Sequence, residues 1–294
     1  RFLQEPDANA FRLIGQRIVV QRLTVPRSDL MNPGPQSFYF FDFDKNIMKV
    51  TVPMVLTNEV DRTQKEVTAQ KYSKIQKKIG RIGKWKDYSA DSLFQNYRDV
   101  PGVAADHQPF AKQIRDAISS ENPSDWQGPA WGIFVHACNA QRPLSLITAR
   151  GHSDDTVHAG FEILREAGWI EKTPNYLTIY NVTYKPTMAA LGDPDGKQPV
   201  EQLKRQAVVR TVDTAIERYG EFPHHFGMSD DTMGNVEACA DAMTSCKRRY
   251  PQMRFFMIAT NTQHSWKAEF FPANVPVSGH GDPDGAEPLD LTAP

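Results

Sequence analysis

The sequence predicts an α/β protein with a doubly wound, mainly parallel sheet. Three observations lead there. Five short apolar runs each end in a polar turn: residues 37–41, 144–147, 176–180, 225–228 and 255–259. Segments of 3.6-residue periodicity lie between the later runs, the pattern of strands joined by crossover helices. With 294 residues the chain is long enough for one large α/β domain or two smaller ones.

The first run, Ser37-Phe38-Tyr39-Phe40-Phe41, is continuously apolar, as expected of a parallel strand covered on both faces. Of the three helical segments, the first is capped by Ser153, carries Val157, Phe161 and Leu164, and stops near Gly168. The second carries Val208, Val212, Ala215 and Tyr219 and stops at Gly220. The third carries Val236, Cys239, Met243, Cys246 and Tyr250. These stripes are expected to pack in the core. Cys239 and Cys246 lie about 10 Å apart along one helix, too far to bridge. Three cysteines in all suit a reducing cytoplasm. The chain opens on Arg1, which leaves open a segment upstream.

About 100 residues separate the first two runs, far more than a crossover needs, so an insertion is expected there. The division that follows is an N-terminal arm (1–35), a core of 36–56 and 125–274, a small, mainly helical insertion (57–124), and a Pro/Gly/Asp-rich tail (275–294). The insertion has a helix with Tyr72, Ile75 and Ile79 as its inward stripe.

Charge excludes some partners. With 34 basic and 35 acidic residues the net charge is −1, so no global field recruits nucleic acid or an anionic membrane, and such binding must be local. No window reaches the roughly 18 apolar residues of a membrane span. The local exception is residues 61–86, where nine basic residues stand against Asp61 and Glu66, a net of +7. Such a run is most simply a solvated helix face; the alternative reading is that, over a Mg²⁺ site, it attracts a polyanionic phosphorylated substrate.

Ligands of doubly wound sheets bind beyond the carboxyl ends of the strands. There the sequence places Asp42 and Asp44 after the first run, Thr148 and Arg150 after the second, and Asp230 and Asp231 after the fourth, with Lys204 near the start of the helix leading into the fourth. Two carboxylate pairs converging on one crevice require a cation, and Mg²⁺ suits an oxygen-rich site. Lys185 and Lys197 compete with Lys204 but lie in a Gly/Pro-rich stretch. His224 and His225 lack metal spacing and read as structural, as does Cys138.

This ordered set resembles the haloacid dehalogenase superfamily of phosphohydrolases: strand then Asp-x-Asp (38–44), strand then Thr (144–148), a Lys near a helix start (204), and an acidic pair after a strand (230–231). Asn46 and Ser229 depart from it, standing where the family prefers Thr or Val and Gly. The resemblance covers about 36–260. It implies a Rossmann-like core with a cap insertion and a Mg²⁺-dependent phosphatase that works through an aspartyl-phosphate. Asp42 would be nucleophile and Asp44 general acid and base. Thr148 and Lys204 would hold substrate, and Asp42, Asp44 (through its carbonyl), Asp230 and Asp231 would hold metal. Apart from the resemblance, Arg150 and His152, just past Thr148, are read either as further substrate contacts or as helix caps. A phosphotransferase, or a polyanion- or nucleic-acid-binding module on a catalytically silent scaffold of this kind, are the alternative readings.

Overall fold

The computed structural model describes residues 11–13, 34–261 and 266–271. In chain order an edge strand β1 (Phe11–Leu13) precedes the central strand β2 (Ser37–Phe41). The insertion follows with β3 (Met54–Asn58), β4 (Gln64–Val67), helix α1 (Ala69–Ile75) and β5 (Tyr88–Ser89). Helices α2 (Pro109–Ile118) and α3 (Trp131–Asn139) lead to β6 (Pro143–Thr148), α4 (Asp154–Glu166) and β7 (Asn175–Asn181). Then come α5 (Lys185–Ala190), α6 (Val200–Tyr219), β8 (His225–Asp230), α7 (Met233–Arg249), β9 (Arg254–Ala259) and β10 (Trp266–Phe270).

The main sheet has the order β1-β10-β9-β8-β2-β6-β7. Its five central strands are parallel, and β10 and β1 add two antiparallel strands at one edge. These five are the runs read from the sequence. β10 was not anticipated, and residues 11–13 of the expected arm form β1; the β-branched run 18–25 and the tail 275–294 lie outside the described residues.

Strand alternation divides the core into two layers. On one face Phe38, Phe40, Phe226, Met228 and Phe255 pack against Val208, Val212, Ala215, Val236, Cys239 and Met243 of α6 and α7. Phe38, Phe226 and Phe255 sit side by side on β2, β8 and β9, their rings stacked at 4.8 and 5.1 Å. On the other face Phe41, Phe43, Leu144 and Leu146 meet Phe110, Phe134, Val157 and Phe161 of α2, α3 and α4. The architecture is thus α/β with a Rossmann-like core, and all three cysteines are free and buried in it. Among the described residues no helix is long and apolar enough to cross a membrane.

The insertion differs from expectation in two ways. It is a three-stranded antiparallel sheet, β4-β3-β5, with one seven-residue helix and short 3₁₀ turns, rather than mainly helical. Gly80 and Gly83, both at positive φ, turn the chain where the basic helix would otherwise continue. Its boundaries also move. A separate cluster of Leu56, Val67, Trp85 and Leu93, with Tyr72, Ile75 and Ile79 half-buried against it, defines its own small core. By contrast α2, assigned to the insertion from sequence, buries Phe110 and Ile114 in the main core.

Two contacts hold the ends of this unit together: Val55 N–H donates to Leu93 O at 3.2 Å, and Asn96 Nδ2 to Pro53 O at 3.0 Å. Beyond them, residues 46–49 run against 126–130 through Gly128 N to Ile47 O and Ala130 N to Asn46 O. A side chain at Gly128 would bring its Cβ within 2.2 Å of Asn46 O.

Helices α2 and α4 approach closely because Gly160 leaves room for the Phe110 ring; a Cβ there would stand 2.4 Å from Phe110 Cε1. Gly160→Ala is therefore expected to destabilise the protein by about 1–3 kcal/mol through overpacking, despite alanine's better helix propensity. A lower urea midpoint at unchanged m-value would record it.

Candidate active site

From β2 the chain winds through β6 and β7 to one side, then returns to place β8 and β9 on the other. The order reverses between β2 and β8, and a crevice opens beyond their carboxyl ends. Asp42 follows β2 there and Asp230 ends β8. Alternation turns Asp42 toward the α6–α7 face, as it does Phe38 and Phe40.

Lys204 projects into this crevice from α6. Its Nζ donates to Asp42 Oδ1 at 2.8 Å and to Asp230 Oδ2 at 2.7 Å, and all three side chains are buried. Burial favours neutral lysine, but the two carboxylates outweigh it and hold Lys204 protonated, its pKa raised. Burial also raises Asp42 to about 7; Lys204 opposes the rise, and Asp230 and Asp44 add to it. The second Asp230 oxygen accepts from Thr232 N at 2.9 Å and Asn235 Nδ2 at 3.2 Å. Asp231, half-buried, is raised by burial and by Asp230.

One carboxylate oxygen each of Asp42, Asp230 and Asp231 lie within 4.8 Å of one another. Asp42 Oδ2 accepts no hydrogen bond from the described residues. An all-oxygen donor set of this kind suits a hard divalent cation.

Asn46 and Ser229 are bonded to each other. Buried Asn46 directs its Nδ2 at Ser229 Oγ (2.9 Å), Ser229 O (3.1 Å) and Asp42 O (2.9 Å), and its Oδ1 accepts from Thr260 Oγ1 at 2.9 Å. With Asp42 N donating to Ser229 O, this stitches together the ends of β2, β8 and β9.

Asp44 and Arg150 form a bidentate pair, Nε to Oδ2 at 2.9 Å and Nη2 to Oδ1 at 2.7 Å. The guanidinium is buried among the rings of Phe43, Phe110 and Tyr97 and donates also to Gln113 Oε1. Behind it stands His152, whose Nδ1 is 2.9 Å from Asp99 Oδ1 while its Nε2 faces Arg150 at 3.5 Å. Burial lowers the His152 pKa, so the ring is neutral with its proton directed at Asp99.

Thr148 ends β6 on the face of Leu144 and Leu146, opposite in sense to Asp42, with Asn181 of β7 beside it in register. Its hydroxyl and both polar atoms of Asn181 are buried without hydrogen-bond partners. The competing lysines are peripheral: Lys185 is exposed, and exposed Lys197 pairs with Asp195. His224 is structural, accepting from Gln36 N at Nδ1 and reaching Gly220 O through Nε2.

The structure thus joins Asp42, Lys204 and Asp230, sets Asp231 beside them, and pairs Asp44 with Arg150. Sequence reasoning missed Asp99, Gln113, Asn181 and Asn235. Asn181 and Asn235 had a positional signal, at a strand end and in the first turn of the helix that follows one; Asp99 and Gln113 had none. Comparison with protein-family models, curated proteins and solved structures finds no match to this chain.

Burial opposes ionisation of Asp99, but hydrogen bonds from His152, Ser153 and Thr156 outweigh it and lower the carboxyl from 3.8 to about 2. A depressed acid stabilises the fold above its unfolded pKa and loses that contribution as pH falls through the folded value. Asp99→Asn should therefore lower the urea midpoint at pH 7, and the gap to the parent should close between about pH 4 and pH 2.

Proposed function

We propose that this chain is a Mg²⁺-dependent phosphohydrolase of the haloacid dehalogenase type that cleaves a phosphomonoester through Asp42. The observation that carries this reading is the buried Lys204 ammonium bridging Asp42 and Asp230 where the strand order reverses. A cation held there at the cost of burial has a use if a dianionic group must approach a carboxylate. The ordered sequence motifs support the same reading.

In the proposed reaction Asp42 Oδ2, the oxygen that Lys204 does not hold, attacks phosphorus. The bond from phosphorus to the leaving oxygen breaks, and that oxygen takes a proton from Asp44. Water then attacks the aspartyl-phosphate, gives its proton to Asp44, and frees phosphate and the Asp42 carboxylate. Both Asp44 oxygens accept from Arg150, so Asp44 can carry the proton that it gives the leaving oxygen, and later regains from water, only once the guanidinium releases one of them. Lys204 from one side, and the unpartnered Thr148 hydroxyl from the other, would meet phosphoryl oxygens beyond the strand ends. Asp42, Asp230, Asp231 and the Asp44 carbonyl would hold Mg²⁺, which when bound neutralises charge on the phosphoryl group.

The test is phosphate release from a panel of phosphorylated metabolites with Mg²⁺. Turnover of at least one substrate is expected, and Asp42→Asn should reduce it by roughly 10³-fold or more. Full activity in that variant would remove the assignment.

Thr148→Val separates function from stability. Its hydroxyl has no partner in the protein, so the thermal midpoint should hold or rise. Activity should fall by about 10²-fold, as on removal of a donor to a developing charge.

A further inference from the structure

The basic run of the insertion is not used by the reaction above. All nine of its cationic residues between Arg62 and Lys86 are exposed. Arg62 pairs with Glu59, and Lys65 and Lys84 lie over the Trp85 ring at 5.6 and 5.5 Å. The other six have no ion pair among the described residues. Unpaired like charges at this density repel one another and gain from an anionic surface.

The charges surround an apolar tip. Residues 78–86 form a tight double turn in which Arg81 N and Ile82 N both donate to Lys78 O, Gly80 N to Trp85 O and Lys86 N to Gly83 O. Trp85, buried with Leu56, Val67 and Leu93, anchors this turn to the insertion core. At its apex Ile82 stands 59% exposed, flanked by Lys78, Arg81 and Lys84. The turn between β3 and β4 presents Val60, 77% exposed. These are the two most exposed large hydrophobic residues described. Val60 of the first turn and Gly80 and Lys86 of the second line one open groove of about 470 Å³; Glu59, paired with Arg62, and Asp87 also lie on it.

An isoleucine fixed at the apex of a cationic turn suits one kind of partner. Single-stranded nucleic acid is held by exposed aromatic faces; Trp85, the ring at the centre of the charge, is buried, and the insertion's exposed aromatic, Phe94, lies outside the basic run 62–86. An anionic bilayer uses both features, since apolar tips enter the boundary below the headgroups while lysine and arginine meet the phosphates.

We propose that the insertion docks the protein on an anionic lipid surface, with Ile82 and Val60 entering the interface and the cations of residues 77–86 against the headgroups. The docking stands independently of the phosphatase reading. It also agrees with the near-neutral whole chain, because the field is confined to one appendage.

The test is co-sedimentation of the full chain with vesicles of phosphatidylcholine alone, or of equal parts phosphatidylcholine and phosphatidylserine, at low and high salt. Binding is expected only with phosphatidylserine and should fall as salt rises. Lys78→Gln/Arg81→Gln should weaken it on the order of 20-fold, each charge near the surface being worth about a fivefold change. Ile82→Asp, at a side chain exposed to solvent, should abolish binding with the circular dichroism spectrum unchanged. Three results would overturn the proposal: no sedimentation with phosphatidylserine vesicles, binding that Ile82→Asp leaves intact, or tighter binding to a single-stranded oligonucleotide that Ile82→Asp does not affect.

Discussion

A buried ammonium group between two buried carboxylates sets the terms for the rest of this structure. Taking each charge out of water costs several kcal/mol, and the cost is met only while Lys204 stays within hydrogen-bonding distance of both Asp42 and Asp230. The Lys204 position on α6, the end of β2 and the end of β8 are therefore fixed relative to one another. The stacked phenylalanines on β2, β8 and β9 hold the same strands in register from below. With Asp42 ionised the triad carries one negative charge in excess, which is the electrostatic reason for expecting a further cation beside it.

Much of the core was legible because its signals are local. A run such as Phe38–Phe41 between helical stripes can be satisfied only by a strand covered on both faces, and the choice of Lys204 over Lys185 and Lys197 followed from its place on a periodic helix. The insertion was harder to read. Gln64–Val67 is polar except at its last residue and forms a strand only because it pairs with β3, a tertiary effect that periodicity does not report. Asp99 lay hidden for a similar reason, since its role comes from where the returning chain crosses the loop after β6. Asn46 and Ser229 each look like a departure from the superfamily pattern when taken singly. Together they form one bonded unit, because the amide of one bonds the hydroxyl and carbonyl of the other.

The returning segment also connects insertion and site. Tyr97 O accepts from Gly151 N, the Tyr97 ring covers Arg150, and Asp99 holds both His152 and the Ser153 amide. The loop that presents Arg150 to Asp44 is thus braced by the chain leaving the insertion. Movement of that chain would be felt first at Arg150 and next at the Asp44 carboxylate, with the Lys204 triad on the other face of the sheet left in place.

The contacts of Pro53 with Asn96 and of Val55 with Leu93 make residues 54–95 an excursion that leaves and returns through one opening. Its hydrophobic cluster is its own, and the helix that follows belongs to the main core. Such a unit behaves as a cassette. A short turn could bridge its ends with little loop-closure cost, and an unrelated module whose termini lie equally close could be grafted in its place. Evolution can work on this appendage, and so on whatever surface it meets, at a rate uncoupled from the chemistry of the strands beneath it.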